Sequence, residues 1–475
     1  MSMVAALGRA IQQTFGDAVA QAALASQVVQ RQRVLTAVGL AKIFLLGFLR
    51  KPAASDEDLA RMAAEVGEPV SPQAIEQRHT PRLVVFLRAI FELLATLALG
   101  SPRSMAPLLE RFTKVVLIDG STVKLPDGVQ AEHPGCGGSH DSGKAALKLQ
   151  TEFDLRSGAL RVQIEPGRSP DAATDRQQAR HGPGSLRIAD LGYFCLGVFA
   201  AMQAANEYFL SRLQFGTSVE PRGERGERGE RGERGERGER GERGERGERG
   251  EGSEGKGWRK SDLLGWLARQ CVALVDCNVA LGRAERLGCR LLAWRLPQAQ
   301  ADRRRRLLRA ATLKKKGREP SAERLAWCDW SILVTNVPLE MLSAQEALVL
   351  YRARWQVELL FKRWKSQNLV ATLSGASETR QMVRVWARLA MSVLQHLLVA
   401  ASVWGDPTKS LSKACEAVRA FAGRLAASLG DTAALEAVLT AIAAVLARTC
   451  RRDKRRRPGT FELLNHPHRL DYQLS

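Results

Sequence analysis

The clearest amphipathic pattern in the chain lies at residues 348–367, which read LVLYRARWQVELLFKRWKSQ. At about 100° per residue, the apolar side chains share one side of a helix, and these are Leu350, Ala353, Val357, Leu360, Phe361 and Trp364. The other side carries polar groups, which are Tyr351, Arg354, Glu358, Lys362 and Lys365. The pattern predicts a single helix that is anchored in a core and presents one carboxylate among cations.

Two aspartates upstream end apolar, strand-like runs. KVVLID reaches Asp119 and LRIAD reaches Asp190. Between them, LKLQTEFDLRSGALRVQIEP predicts a β-hairpin that turns at residues 156–158. A helix, CLGVFAAMQAANEYF, and a further strand, YFLSRLQ, follow the second aspartate. Because a carboxylate at the end of a buried strand is exposed at the edge of the sheet, both aspartates are candidate site residues.

Residues 1 to about 100 read as helical, since alanine, leucine, glutamine and arginine dominate them. Ser55 and Ser71-Pro72 are typical helix starts on either side of a predicted turn at residues 66–70. This pair of helices is either a helix-turn-helix or a plain helical hairpin. In the first case the groove-facing residues would be Gln73, Glu76, Gln77 and Arg78.

Ten consecutive Arg-Gly-Glu triplets occupy residues 222–251. Frequent glycine disfavours a helix and the lack of proline disfavours a collagen-like triple helix, so we expect a mobile loop. Beyond it, VALVDCNVAL, CRLLAWRLP and SILVTNVP predict strands, and residues 303–318 form a basic segment that is either helical or a loop. Residues after 365 predict helices to about 446, followed by a basic tail that includes Arg451, Arg452, Lys454, Arg455, Arg456 and Arg457.

A formal net charge of +21 and a pI near 10.2 favour a polyanionic partner. Nucleic acid is the first choice and an anionic membrane surface the second. The longest apolar run, residues 38–49, is too short to cross a bilayer, so no membrane partner and a cytoplasmic location are expected. The eight cysteines include no CxxC pair, which indicates reduced, mostly structural thiols.

The spacing Tyr351-x2-Arg354-x3-Glu358-x6-Lys365 resembles the signature of bacterial DDE transposases of the insertion-sequence-four family. Asp119-Gly-Ser and Ala-Asp190-Leu-Gly-Tyr-Phe support the same resemblance. It implies an α/β protein with a ribonuclease-H-like mixed sheet flanked by helices. The implied layout is a helical DNA-binding region at 1–110, a catalytic domain at 111–220 and 329–375, the repeat loop at 221–257, a β-rich insertion at 258–328, and a helical C-terminal region with a basic tail at 376–475.

The resemblance also implies the chemistry. Asp119, Asp190 and Glu358 would hold two Mg²⁺ ions, with Mn²⁺ as a substitute, because hard divalent ions prefer carboxylate oxygens. The implied DNA-contacting residues are Tyr351, Arg354, Lys365, Lys362 and Trp330, the last by stacking on a flipped base unless it is a core tryptophan. The rival aspartates for the second catalytic position are Asp171, Asp175, Asp127 and Asp276.

The function that follows is a DNA transposase that binds terminal inverted repeats and catalyses Mg²⁺-dependent cleavage and strand transfer for cut-and-paste transposition. Its partners would be double-stranded DNA, as transposon ends and target, and a second copy of the chain in a homodimer on that DNA. Such a protein would be associated with the bacterial nucleoid. The alternatives are a nuclease of the same fold and a DNA-binding protein without catalysis. The Arg-Gly-Glu repeat departs from the family pattern.

Overall fold

The computed structural model describes residues 3–30, 34–97, 106–137, 143–221, 260–270, 272–373, 377–453 and 457–470. These residues divide into two compact units. The first consists of Met1–Ser211 and Leu339–Ser475, and the second of Arg212–Pro338. The predicted mobile loop at 222–251 and part of the predicted basic tail, Lys454, Arg455 and Arg456, lie outside the described residues.

The first unit begins with helices α1 (Met3–Gln13), α2 (Val19–Ser26), α3 (Ala37–Arg50), α4 (Asp56–Glu65), α5 (Pro72–Glu76), α6 (Pro81–Ala95) and α7 (Pro107–Glu110). The predicted starts are confirmed. Ser55 and Asp58 form a capping box on α4, and the Ser71 hydroxyl accepts a hydrogen bond from the Ala74 amide at the start of α5. The helix that would enter a DNA groove is only five residues long.

The sheet of the first unit is mixed. Its elements are β1 (Val115–Lys124), β2 (Ala146–Asp154), β3 (Leu160–Pro166), the short α8 (Asp175–Gln178), β4 (Leu186–Ala189), α9 (Leu196–Ala204) and β5 (Tyr208–Arg212). The strand order is β3-β2-β1-β4-β5. β1 pairs antiparallel with β2 and parallel with β4, β2 pairs antiparallel with β3, and β4 pairs parallel with β5. The predicted hairpin is confirmed, and Gly158 in its turn has a φ of +72°.

The second unit contains β6 (Val219–Pro221), α10 (Lys260–Arg269), β7 (Leu274–Leu281), β8 (Leu287–Arg295), α11 (Gln298–Lys316), α12 (Ala322–Trp327) and β9 (Trp330–Thr335). Its four strands are antiparallel in the order β9-β8-β7-β6. The prediction of a β-rich insertion at 258–328 needs correction, because three helices and two strands lie in the described part of that segment. The long basic run is the reason, since arginine, lysine, leucine and alanine all favour helix.

The first unit ends with α13 (Ala344–Ala353), α14 (Trp355–Ser366), α15 (Glu378–Val403), α16 (Leu411–Arg419), α17 (Ala422–Ser428), α18 (Thr432–Arg448) and α19 (Thr460–Asn465). α15 packs against α3, α6 and α18. By length and composition α15 is apolar enough to cross a membrane, but 94% of its most apolar window is buried inside the protein. α6 packs against β3 and α14 against β1, so helices flank the sheet and the α/β prediction is confirmed.

The single helix predicted at residues 348–367 is wrong in one respect, because it breaks at Arg354 into α13 and α14. The Arg354 amide donates to the Tyr351 carbonyl and the Val357 amide to the Arg354 carbonyl, so three-residue hydrogen bonds replace the α-helical pattern there. The chain has neither proline nor glycine at this point. The apolar side is buried as predicted, and so is Tyr351, which is 7% exposed rather than part of a solvent-facing stripe.

Candidate active site

Asp119 and Asp190 lie at the same level of two adjacent parallel strands. The prediction that a strand ends at Asp119 is wrong, because β1 continues to Lys124, whereas β4 does end at Ala189, just before Asp190. Ile118 in β1 is the register partner of Ala189 in β4, and each aspartate is the next residue of its strand or of the turn that follows. Neighbouring strands are about 4.8 Å apart. The apolar run Val115 to Ile118 is fully buried, whereas both aspartates are half-buried. The sheet therefore brings two carboxylates that are distant in sequence to adjacent positions on neighbouring strands.

Glu358 and Arg354 belong to the same place because α14 packs against β1. Arg354 Nη2 lies 2.6 Å from Glu358 Oε1, and Arg354 Nη1 lies 3.6 Å from Asp119 Oδ2. The Gly120 amide donates to Asp119 Oδ1 over 2.9 Å. One cleft of about 410 Å³ is lined by Asp119, Gly120, Ser121, Asp190, Arg354, Glu358, Phe361, Lys362 and Lys365.

In the cleft, three carboxylates lie close together and Arg354 contacts two of them, Asp119 and Glu358. Burial raises the pKa of Asp119 to about 6, with smaller upward contributions from Glu358 and Asp190, while Arg354 and the Gly120 amide oppose the rise. Burial lowers the pKa of Arg354, yet its neighbours, Tyr351 and the three carboxylates, outweigh burial and the net shift is upward. The guanidinium is therefore firmly charged.

The donor set suits a hard divalent cation, because three carboxylates supply only oxygen ligands. Among the described residues, however, no three acidic, histidine or cysteine side chains converge closely enough to surround one ion. The Arg354 guanidinium lies between Asp119 and Glu358 and provides the positive charge there. The carboxylates thus fit divalent ions in chemistry, while Arg354 contacts two of the three.

The other predicted contact residues differ in position. Lys362 is exposed, Lys365 is half-buried, and both line the cleft. Trp330 opens β9 in the second unit and is 5% exposed, and its carbonyl accepts a hydrogen bond from Arg304. A role in base stacking stays a prediction, and its burial is typical of a core tryptophan.

The four rival aspartates fall in three different settings. Asp276 lies in the second unit and pairs with Arg290 over 2.6 Å. Asp127 and Asp175 are exposed at the start of short helices. Asp171 is different, because it lies beside Gly120 and Gly192, each one or two residues from a candidate carboxylate.

The residues that pattern reading missed lie around Asp171. Asp171 Oδ1 is 2.8 Å from Lys148 Nζ and 3.0 Å from Gln150 Nε2, and the Tyr193 hydroxyl donates to the Gln150 side-chain carbonyl. Gln150 is fully buried in β2 and is the register partner of Gly120. A glutamine on the buried strand LKLQTEFD was the available signal, since a buried amide needs partners.

Comparison with known proteins identifies the family of the chain. A family model described as "Transposase DDE domain" matches residues 110–394, which include all three candidate carboxylates. The chain is 27% identical over 345 residues to the transposase for insertion sequence element IS231F of Bacillus thuringiensis subsp. israelensis, covering 71% of this chain and 68% of that protein. It is 28% identical over 368 residues to the IS231E transposase of Bacillus thuringiensis subsp. finitimus, covering 76% and 72%.

A more distant match is the transposase for insertion sequence element IS1151 of Clostridium perfringens, which is 23% identical over 338 residues, covering 69% of this chain and 66% of that protein. The family match spans more than half of the chain. The chain therefore belongs to the DDE transposase family of bacterial insertion sequences, enzymes that cleave and transfer DNA strands with divalent metal ions.

Proposed function

We propose that this protein binds the terminal inverted repeats of its own insertion sequence and performs cut-and-paste transposition, with Asp119, Asp190 and Glu358 as its catalytic carboxylates. The observation that carries the proposal is their common cleft: Asp119 within β1, Asp190 directly after the adjacent parallel strand β4, and Glu358 on the helix packed against β1. The catalytic domain, residues 111–220 with 329–375, is then of the ribonuclease-H-like type.

In this mechanism two Mg²⁺ ions, when bound, would activate a water or a DNA 3′-hydroxyl and stabilise the leaving oxygen of the phosphodiester. The three carboxylates hold those ions. The Gly120 amide fixes Asp119 Oδ1 and so leaves Oδ2 directed toward Arg354 and the cleft. Because burial raises the pKa of Asp119 to about 6, its carboxyl group is a ligand only in the deprotonated form, so ion binding should strengthen as pH rises through about 6.

Arg354 is proposed to move from the carboxylates to a DNA phosphate during this loading. Its Nε is buried and has no hydrogen-bond acceptor among the residues that the structure describes. A phosphate oxygen would satisfy that donor, and guanidinium groups bind phosphates through two parallel hydrogen bonds. Lys362 and Lys365, on the same wall of the cleft, would neutralise neighbouring phosphates, and the Tyr351 hydroxyl would donate to another.

The remaining organisation is also proposed. Residues 1–110 would contribute to DNA binding, Trp330 would stack on a flipped base, and two copies of the chain would act on two transposon ends. The dimer is inferred from the proposed reaction, because both transposon ends must be held together to be joined to one target. Trp330 would have to leave the buried position that it has in β9.

Incubation of the protein with Mg²⁺ and DNA that carries the flanking terminal repeats tests the proposal. Wild type should cleave at the repeat ends and join them to target DNA, whereas Asp119→Asn, Asp190→Asn and Glu358→Gln should bind the same DNA without cutting it. Asp175→Asn is the matched control, since Asp175 is an exposed carboxylate outside the cleft. Cutting by any of the three variants at the wild-type rate would contradict the assignment. Cutting without joining would favour a nuclease.

A further inference from the structure

A fourth carboxylate, that of Asp171, lies close to the cleft residue Gly120 but does not line the cleft. Asp171, in a short 3-10 helix (Asp171–Ala173), is held by Lys148 Nζ at 2.8 Å and by the Gln150 side-chain amide at 3.0 Å, and the Tyr193 hydroxyl is 3.5 Å away. All three contacts converge on Oδ1. This carboxylate is thus already neutralised and hydrogen-bonded by the protein itself.

The backbone on both sides of Asp171 leaves it little space. A Cβ added to Gly120 would lie 2.8 Å from Asp171 Oδ1, and one added to Gly192 would lie 3.0 Å from Oδ2. Gly120 follows Asp119 directly, and Gly192 is two residues after Asp190. The two oxygens of Asp171 are therefore in close contact with the two backbone segments that carry the candidate catalytic aspartates.

Gln150 and Tyr193 form a second connection between the backbone segments that carry Asp119 and Asp190. Gln150 is the register partner of Gly120, and its amide donates to Asp171 while its carbonyl accepts from the Tyr193 hydroxyl. The Tyr193 ring packs in a buried cluster with Val116 and Ile118 of β1 and Ala189 of β4. Tyr193 ends the turn that starts at Asp190, and the Gln177 side chain donates to its carbonyl over 2.9 Å.

We propose that Asp171 is a positioning residue, which together with Gln150 and Tyr193 sets the separation of the backbone segments bearing Asp119 and Asp190. The inference rests on the proposed function, because it assumes that these two aspartates hold the ions. Asp171 acts through its contacts and not as a ligand, since it does not line the cleft and its Oδ1 is already held by Lys148 and Gln150. Groups that orient metal ligands typically change metal affinity or activity by about 10- to 100-fold when they are removed.

The experiment compares Asp171→Ala with Asp171→Asn in the full chain. Free Mn²⁺ is measured by electron paramagnetic resonance during titration without DNA, and DNA cleavage and a mobility shift are measured separately. Asp171→Ala should weaken Mn²⁺ binding and lower kcat by about 10- to 100-fold, with DNA affinity unchanged. Asp171→Asn should lose less than about 10-fold, because its amide keeps the shape and an oxygen acceptor. Tyr193→Phe should give a smaller effect of the same kind.

Two controls separate the possible outcomes. Ser157→Ala removes a 2.6 Å hydrogen bond to Asp154 in the same hairpin, at its turn, so it reports the effect of a general loss of sheet stability. Equal loss of Mn²⁺ binding in Asp171→Asn and Asp171→Ala would overturn the inference and make Asp171 a ligand. Wild-type Mn²⁺ binding in Asp171→Ala would also overturn it. Asp119→Ala distinguishes the proposals: if it binds Mn²⁺ as wild type does, the proposed function itself fails.

Discussion

Replacement of Asp119 by asparagine should stabilise the metal-free protein at neutral pH. Burial is the main reason that the pKa of this carboxyl rises from 3.8 to about 6. A rise of that size corresponds to about 3 kcal/mol of unfavourable free energy for the ionised form. Asparagine has nearly the same shape, can still accept the hydrogen bond from the Gly120 amide, and leaves Arg354 its 2.6 Å contact with Glu358.

The sign of the pH dependence follows from proton binding. Between about pH 4 and 6, the folded protein keeps the Asp119 proton while the unfolded chain has released it, so the folded state binds more protons. The free energy of unfolding of wild type therefore falls as pH rises through this window. The difference between Asp119→Asn and wild type should be close to zero near pH 4 and should favour the variant by up to about 3 kcal/mol at pH 7.5.

The assay is urea unfolding in EDTA, with wild type, Asp119→Asn and Asp175→Asn measured in parallel from pH 4 to 8. Asp175→Asn should show no comparable gain, since that side chain is exposed. Addition of Mg²⁺ at pH 7.5 should then stabilise wild type and not Asp119→Asn, because only the carboxylate gains from binding the ion. A variant that is no more stable than wild type at pH 7.5, or a difference that does not change with pH, would refute the reasoning.

Three further predictions concern other parts of the same unit. Gly120→Ala should lower the free energy of unfolding by about 1–3 kcal/mol, because the new Cβ would lie 2.8 Å from Asp171 Oδ1. Gly197→Ala is the control and should not destabilise, because a Cβ there would meet nothing within 4 Å. Urea unfolding of both variants checks this. Lys362→Gln should make the slope of log affinity for end DNA against log salt less steep by about 0.9, because one phosphate contact is lost. Lys413→Gln is the control, at a residue that pairs with Asp453 outside the cleft, and should leave the slope unchanged in the same mobility-shift titration. Ser343→Ala removes the capping box that Ser343 forms with Glu346 at the start of α13 and should lower the free energy of unfolding by about 1 kcal/mol, measured against wild type by the same urea method.

The sequence predicts the secondary structure around the cleft well, because strong periodicity and strong end signals coincide there. The apolar run Val115 to Ile118 and the short run before Asp190 are strands, and the hairpin turn contains a glycine with positive φ. The mixed sheet was predicted from the family resemblance and not from the residue pattern. The parallel pairing of β1 with β4 joins residues about seventy positions apart, so no local sequence pattern indicates it. Such pairing is set by packing of the whole core.

The features that pattern reading missed depend on side-chain geometry. The chain has no proline or glycine near Arg354 that would predict the break in the helix. Tyr351 is buried although helical periodicity assigns it to the polar side. The Asp171 contacts unite residues from β2, a loop and a turn, so no single segment carries their pattern. Only Gln150, a polar residue within a buried strand, gives a local hint of them.

The charges that line the cleft suggest why metal ions and DNA should bind together. The three carboxylates of Asp119, Asp190 and Glu358 are matched by the three cations of Arg354, Lys362 and Lys365, so the cleft is close to neutral before any ligand enters. Two divalent ions would add four positive charges next to cations that are already there, which is unfavourable in a partly buried site. Phosphates of the DNA end supply the missing negative charge and give Arg354 a new partner when it leaves Asp119. Each ligand therefore lowers the electrostatic cost of the other, and a cleft of this composition favours full loading with ions only when a transposon end is present.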